Sequence, residues 1–138
     1  MAYGQTSGPN SVLDKTFKVA SSNTITGWQV VKLGTHGGEI ALSSAATDLH
    51  IGIAQVNPNE GVTYTAGKYV TVRMLGISKA VAQGAITSGT RVVTAGAAGA
   101  VDDAGAAGNT GVGIALEQAY AMGEIIDVLL TPGVEIHD

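Results

Sequence analysis

Cysteine is absent from the 138-residue chain. That gap excludes disulfide staples, thiolate zinc sites, iron–sulfur clusters and cysteine nucleophiles, and leaves the redox compartment open. Charge is scarce as well: Asp, Glu, Lys and Arg make up 13% of the residues, against roughly 25% in an average soluble domain. The seven basic residues (Lys15, Lys18, Lys32, Lys68, Arg73, Lys79 and Arg91) are scattered, and the net charge is −4. Neutralising phosphates needs a clustered basic face, so no nucleic-acid partner is expected. No apolar run approaches the length of a membrane helix, and no basic segment leads into an apolar one at the N-terminus. Neither a membrane span nor a signal peptide is therefore expected. Three prolines and aperiodic glycine exclude a collagen-like chain.

What the chain has in quantity is 20 glycines and as many alanines, within a composition that is 45% hydrophobic. Abundant Val, Ile and Thr exclude a disordered chain. Residues 1–11 are turn-rich and nearly uncharged, and read as an extended arm. Thr16–Ala20 then alternates polar and apolar, predicting a strand with Phe17 and Val19 inward. Further strands are expected over Trp28–Leu33, Glu39–Leu42 and Ile51–Ala54. The clearest is Tyr69–Leu75, with Val70, Val72 and Met74 on one face and Tyr69, Thr71 and Arg73 on the other. Ile77–Ala82, Arg91–Ala95, Val112–Leu116 and Ile125–Leu130 follow, the last ended by Pro132-Gly133.

Between Gly96 and Gly111 the chain is almost all Gly and Ala, which predicts a long loop, with one short strand at Ala100-Val101-Asp102. No segment carries ten residues of helical period, and the best helical candidate is the short run of good helix formers Leu116–Ala121. Many short strands joined by Gly-rich turns predict a mainly β fold, a small sandwich or barrel. The expected division is an N-terminal arm with the first strand over 1–22 and a single β-rich domain over 23–138. There is also an internal echo. Gly52-Ile53-Ala54 returns as Gly113-Ile114-Ala115, and Gly67–Val72 returns as Gly123–Val128. Two related hairpins on opposite sides of a small barrel would produce it.

Catalytic chemistry needs a nucleophile or an acid/base pair with an orienting partner. His36 and Glu39 could be half a metal site, but a site needs three or four ligands and no second cluster is suggested. Asp48 and His50 could share a face, yet no Gly-x-Ser-x-Gly elbow completes a triad. Asp102-Asp103 lacks the alternating oxygen ligands of a calcium loop. The Gly/Ala stretch lacks the Lys-Ser/Thr of a phosphate loop. Trp28 and Phe17 read as core anchors. The expectation is no catalytic residue, no cofactor and no metal, hence not an enzyme. A surface poor in charge with exposed strand edges is weakly protected against association, and a turn-rich arm can order on a partner. Both suit a component of an assembly.

The block from Val31 to Pro132 resembles the small capsid decoration, or cement, proteins of tailed bacteriophages. The features, in order, are Gly52-Ile53-Ala54, then Ala66–Val72, then Leu75-Gly76-Ile77, then Ile86–Val92. The Gly/Ala loop, Gly111–Glu117 and Ala121–Leu130 complete the series. The resemblance implies a β-barrel or tulip-like decoration domain, homotrimeric, on the outer surface of an icosahedral head. There it would bridge major capsid protein subunits and stabilise the expanded shell. On that reading the N-terminal segment reaches onto neighbouring capsid or decoration subunits, with Tyr3, Lys15, Phe17 and Lys18 as contacts. The competing expectation is a carbohydrate- or receptor-binding module of a phage fibre, disfavoured because only six aromatic residues exist to stack on sugars.

Overall fold

The computed structural model describes residues 12–56, 62–95, 99–103 and 110–135. Among them lie eleven strands and no helix. They are β1 (Leu13–Val19), β2 (Thr24–Thr26), β3 (Val30–Leu33), β4 (Glu39–Leu42), β5 (His50–Ala54) and β6 (Thr63–Thr65). They continue as β7 (Tyr69–Val81), β8 (Arg91–Thr94), β9 (Val101–Asp103), β10 (Thr110–Ala115) and β11 (Ile125–Glu135). Of the sandwich and the barrel that the strand pattern leaves open, the chain forms the barrel that the family resemblance implies. The arm at 1–11 and most of the Gly/Ala stretch (96–98 and 104–109) lie outside the described residues.

Strands β1-β4-β3-β5-β7 form a barrel that closes when β1 pairs back onto β7. The sheet continues from β7 through β11, β10 and β8 to β9. A single parallel bridge, Ala82 to Val101, returns β9 to the end of β7. Strand β7 is thus shared by two strand sets. Its first half pairs with β1 and β5, and its second half with β11. Gly76, with φ +104°, sits at the changeover. The sequence suggests two strands either side of this glycine; the structure has one strand of 13 residues running through it. Glycine takes that left-handed backbone without a Cβ clash, so the strand turns from one barrel into the other without losing its pairing.

Two other local expectations are corrected. Leu116–Ala121 is not helical, because Ala119 exchanges both backbone hydrogen bonds with Ile86, each 2.9 Å. Helix propensity worth tenths of a kcal/mol per residue yields to such tertiary pairing. Pro132-Gly133 does not end the last strand, since β11 runs to Glu135. Gly113 pairs with Leu130 and Gly111 with Val134, so three residues of β11 span a gap opposite Val112 alone. Proline has no N–H to give a ladder, and a bulge is where a sheet tolerates it.

The sequence echo proves to be a duplication of the whole pairing scheme. On β3–β5 the pairs are Val30–Ile53, Val31–Gly52 and Lys32–His50; on β8–β10 they are Arg91–Ile114, Val92–Gly113 and Val93–Gly111. Each second pair lies 61 positions after the first. The β3–β4 pairs Val31–Leu42 and Leu33–Ile40 return in the same way as Val92–Asp103 and Thr94–Val101. Strand β1 on the first half of β7 (Phe17–Val70, Lys15–Val72) corresponds to the second half of β7 on β11 (Ala80–Ile126, Ser78–Val128). The echoing hairpins therefore occupy equivalent places in two barrels, not opposite sides of one.

The echoed glycine has a physical cause. A Cβ on Gly52 would stand 2.2 Å from the Arg73 carbonyl oxygen, and one on Gly113 would stand 2.0 Å from that of Leu129. Both sit at the bulge where the central strands approach most closely. Trp28 and its counterpart Gly89 both have left-handed backbone, φ 72° and 85°.

The cores match residue for residue. The first holds Phe17, Val19, Ile25, Val31, Ile40, Ala54, Tyr64, Val70 and Val72. The second holds their counterparts Ala80, Ala82, Ile86, Val92, Val101, Ala115, Ala119, Ile126 and Val128. Three large side chains, Phe17, Val19 and Tyr64, are replaced by alanines. Interiors pack to crystal-like density, so that volume must be filled from elsewhere. Val30 and Ile53, which point out of the first barrel, are wholly buried and join the second core. Trp28, expected as a core anchor, is only half-buried. Its backbone instead ties the barrels, its carbonyl accepting from the Val81 N–H at 3.3 Å.

Candidate interaction surface

The described residues present faces rather than a reaction centre. The most apolar face lies on the outside of the second barrel. Cross-strand pairs there run Ile77–Leu129–Ile114–Arg91, one row across β7, β11, β10 and β8. Strand alternation places all four outward because their neighbours Ser78, Val128, Ala115 and Val92 are inward. Ile77, Leu129 and Ile114 are exposed, and Leu75, paired with Leu13, extends the patch. Beside it Lys79 Nζ meets Asp127 Oδ1 at 3.2 Å. Tyr120 and Met122, on the connection to β11, stand 74% and 70% exposed.

The equivalent row of the first barrel is Asp14–Arg73–Ile53–Val30. Its charged half is an ion pair, with Arg73 Nε and Nη2 donating to the two Asp14 carboxylate oxygens at 2.9 and 3.1 Å. That fork holds the guanidinium pKa above its ordinary value. Its apolar half is covered by the second barrel. The apolar half of this surface is therefore buried in one copy and open in the other.

Of the residues singled out for contact, Tyr3 lies outside the described residues. Lys15 and Lys18 are exposed on β1. Phe17 lies in the first core, 6% exposed, with Lys15 Nζ 5.7 Å from its ring centroid. Alternation along β1 keeps Lys15 on the same side as Phe17 and puts Lys18 on the opposite face. The three do not converge on one surface.

The polar candidates serve separate structural tasks. His36 Nδ1 and Glu39 Oε1 are 3.3 Å apart at an exposed turn, and no group of three potential metal ligands exists among the described residues. They border a cavity of about 300 Å³ also lined by Lys32, Asn23 and Thr35. Asp48 accepts from the Ser44 and Ala45 N–H groups at 2.9 and 3.0 Å and pairs with Lys32 at 3.0 Å. Burial opposes its ionisation, yet these donors hold the carboxyl below its ordinary value.

His50 does something the sequence did not suggest. The bulge at Ile51 turns it out of the first barrel, where its Nε2–H donates to the carbonyl of Gly111, its own counterpart in the second. Its Nδ1 is buried without a hydrogen-bond partner. Burial lowers the imidazole pKa, and the Gly111 carbonyl only partly offsets that.

Two small β-barrels built on one shared strand, offering flat strand faces, define a class of protein whose working parts are surfaces. Residues 12–130 match the phage cement protein family. The chain belongs to that family, and is a structural protein of the phage virion. Among solved structures it resembles the head fiber gp8.5 N base of bacteriophage phi29. The TM-score is 0.61 at 16% identity, over 87% of this chain and 94% of that one. At that identity the likeness is one of fold. No curated protein matches the chain in sequence.

Proposed function

We propose that the protein decorates the outer surface of an icosahedral phage head as a homotrimer, bridging neighbouring major capsid subunits and so stabilising the expanded shell. Membership of the cement family over residues 12–130 is the observation that carries this reading. The open strand faces and the 13% charge support it, because surfaces lacking charge are poorly defended against contact. The mechanism is linkage: a ligand that binds only the expanded shell lowers its free energy by mass action. A three-fold arrangement repeats one modest contact, so avidity raises the overall affinity without any new chemistry. On this reading the protein is not an enzyme and needs no cofactor. Lys15 and Lys18, with Tyr3 and the rest of residues 1–11, are the candidate capsid contacts.

The test is co-sedimentation of the purified protein with expanded heads that lack it. Saturable binding and raised resistance of the heads to heat are expected. Deleting residues 1–11 should weaken binding. Heads that sediment without the protein at micromolar concentration would refute decoration, and bound but unstabilised heads would refute cementing.

A further inference from the structure

We propose that the open row Ile77–Leu129–Ile114–Arg91 is the surface on which a second copy of this chain docks, meeting it with the turn at Gly38-Glu39 of its first barrel. The inference deepens the reading above, resting on its premise that the protein works as an oligomer.

The argument starts from the contact already made inside the chain. There the outer face of the first barrel, at Val30 and Ile53, lies against the second barrel beside Gly99 and Ala100. The Val30 N–H donates to the Gly99 carbonyl at 2.8 Å. A Cβ on Gly99 would touch Gln29 Cβ and Leu42 Cδ1, both of the first barrel, at 2.8 Å. This contact is heterologous, joining two different surfaces of equivalent units. Each chain therefore retains one unused half of it at either end: the outer face of its second barrel, and the receiving turn of its first. By the 61-position correspondence, Arg91 and Ile114 replace Val30 and Ile53, while Gly38 and Glu39 replace Gly99 and Ala100.

The open row and the turn at Gly38 are accessible, while the Glu39 side chain beside it is 19% exposed with Oε1 3.3 Å from His36 Nδ1. Ile114 is 37% exposed where Ile53 is fully buried. Gly38 has open space around it where Gly99 is packed, although both have left-handed backbone, φ 78° and 70°. The substitutions are also complementary. The Val30 contact at Gly99 inside the chain, next to Ala100 in sequence, corresponds to Arg91 at Gly38, next to Glu39, between chains. Opposite charges at matching positions favour this pairing. A trimeric ring also demands a contact of this heterologous kind, since an isologous patch closes at two copies.

The receiving end differs in one respect. In the first barrel the seam between β1 and β4 is closed by the Lys18 N–H donating to the Gly38 carbonyl at 2.9 Å. In the second, Val81 donates instead to Trp28 of the first barrel, and Val30 takes the Gly99 carbonyl. The contact between chains is thus side-chain docking without backbone insertion, and is reversible.

The experiment uses the full chain without capsids, so its outcome is independent of head binding. Having no native cysteine, the protein accepts single engineered ones cleanly. Arg91→Cys and Glu39→Cys chains mixed under oxidation should cross-link to each other, and Arg91→Cys alone should not dimerise. In sedimentation equilibrium, Arg91→Glu and Glu39→Arg should each weaken association at least tenfold, and the double exchange should restore it. Dimerisation of Arg91→Cys alone would show a face-to-face contact and overturn the proposal. So would a wild-type chain that stays monomeric at high concentration, or charge reversals that change nothing. A wild-type chain that binds heads but does not self-associate would fault this contact alone. Loss of head binding by a chain that still associates would fault the decoration reading.

Discussion

Replacing Ile53 with alanine should cost the fold about 3–4 kcal/mol, while the same change at Ile114 should cost about 1 kcal/mol or less. The two residues stand in identical Gly-Ile-Ala runs at equivalent positions of β5 and β10. Ile53 is 0% exposed and belongs to the second core; Ile114 is 37% exposed. Truncating a buried isoleucine removes its transfer free energy and leaves a cavity, together about 2–5 kcal/mol. The second core has little means to close such a hole, because its own residues there, Ala80, Ala82 and Ala119, are already small. At Ile114 no cavity forms, and only part of the side chain leaves a packed environment. At this chain length about 4 °C of melting temperature accompanies each kcal/mol. Ile53→Ala should therefore melt about 12–16 °C below the wild type in circular dichroism of dilute protein, and Ile114→Ala within about 4 °C of it. Equal losses at the two sites would mean that Ile53 does not fill the second barrel, and the account of the interbarrel contact would fail.

Three further outcomes are expected. Gly52→Ala and Gly113→Ala should each destabilise by about 2–3 kcal/mol, since a Cβ would collide with a backbone carbonyl and force the bulge apart; unchanged urea midpoints would count against that close approach. Because burial lowers the folded-state pKa of His50, the unfolded chain binds its proton first as pH falls, so this contribution to stability is complete above about pH 6.5 and declines toward the lower folded pKa. His50→Gln, which can still donate to Gly111, should flatten the dependence between pH 7 and 5 in urea titrations, and an unaltered slope would remove His50 from the account. Asp48→Ala should cost about 1–2 kcal/mol by leaving the Ser44 and Ala45 N–H groups without their acceptor, whereas Asp14→Ala, which breaks a partly exposed ion pair, should cost about 1 kcal/mol or less by the same assay.

Much of the strand content was legible because a β-strand announces itself locally. Period-two alternation over Tyr69–Leu75 and Thr16–Ala20 directs Val70, Val72, Phe17 and Val19 inward, and they are in the core. The failures have one origin. Leu116–Ala121 has the composition of a helix, and Pro132 and Gly76 have the look of strand ends, yet each is governed by what lies opposite. Ile86 pairs with Ala119, a bulge against Val112 accommodates the proline, and β11 takes over as partner of β7 beyond the glycine. Pairing partners tens of residues away leave no mark in a local window. His50 was missed for the same reason, since its partner is a backbone carbonyl 61 residues distant.

The sequence by itself determined that the chain is built of short strands and glycine turns, that it repeats Gly-Ile-Ala, and that it is too poor in charge and thiols for several classes of chemistry. Local periodicity and composition carry that information. Only the tertiary structure decided that the repeat means two barrels on one strand, and that the two isoleucines of the repeat meet different fates. Ile53 and Ile114 have the same neighbours in sequence and the same place in a strand. One is covered because a second barrel, with alanines where the first has Phe17, Val19 and Tyr64, stands against it; the other is open because none of the described residues does. Burial depends on what packs across a surface, and that is a property of the assembled fold.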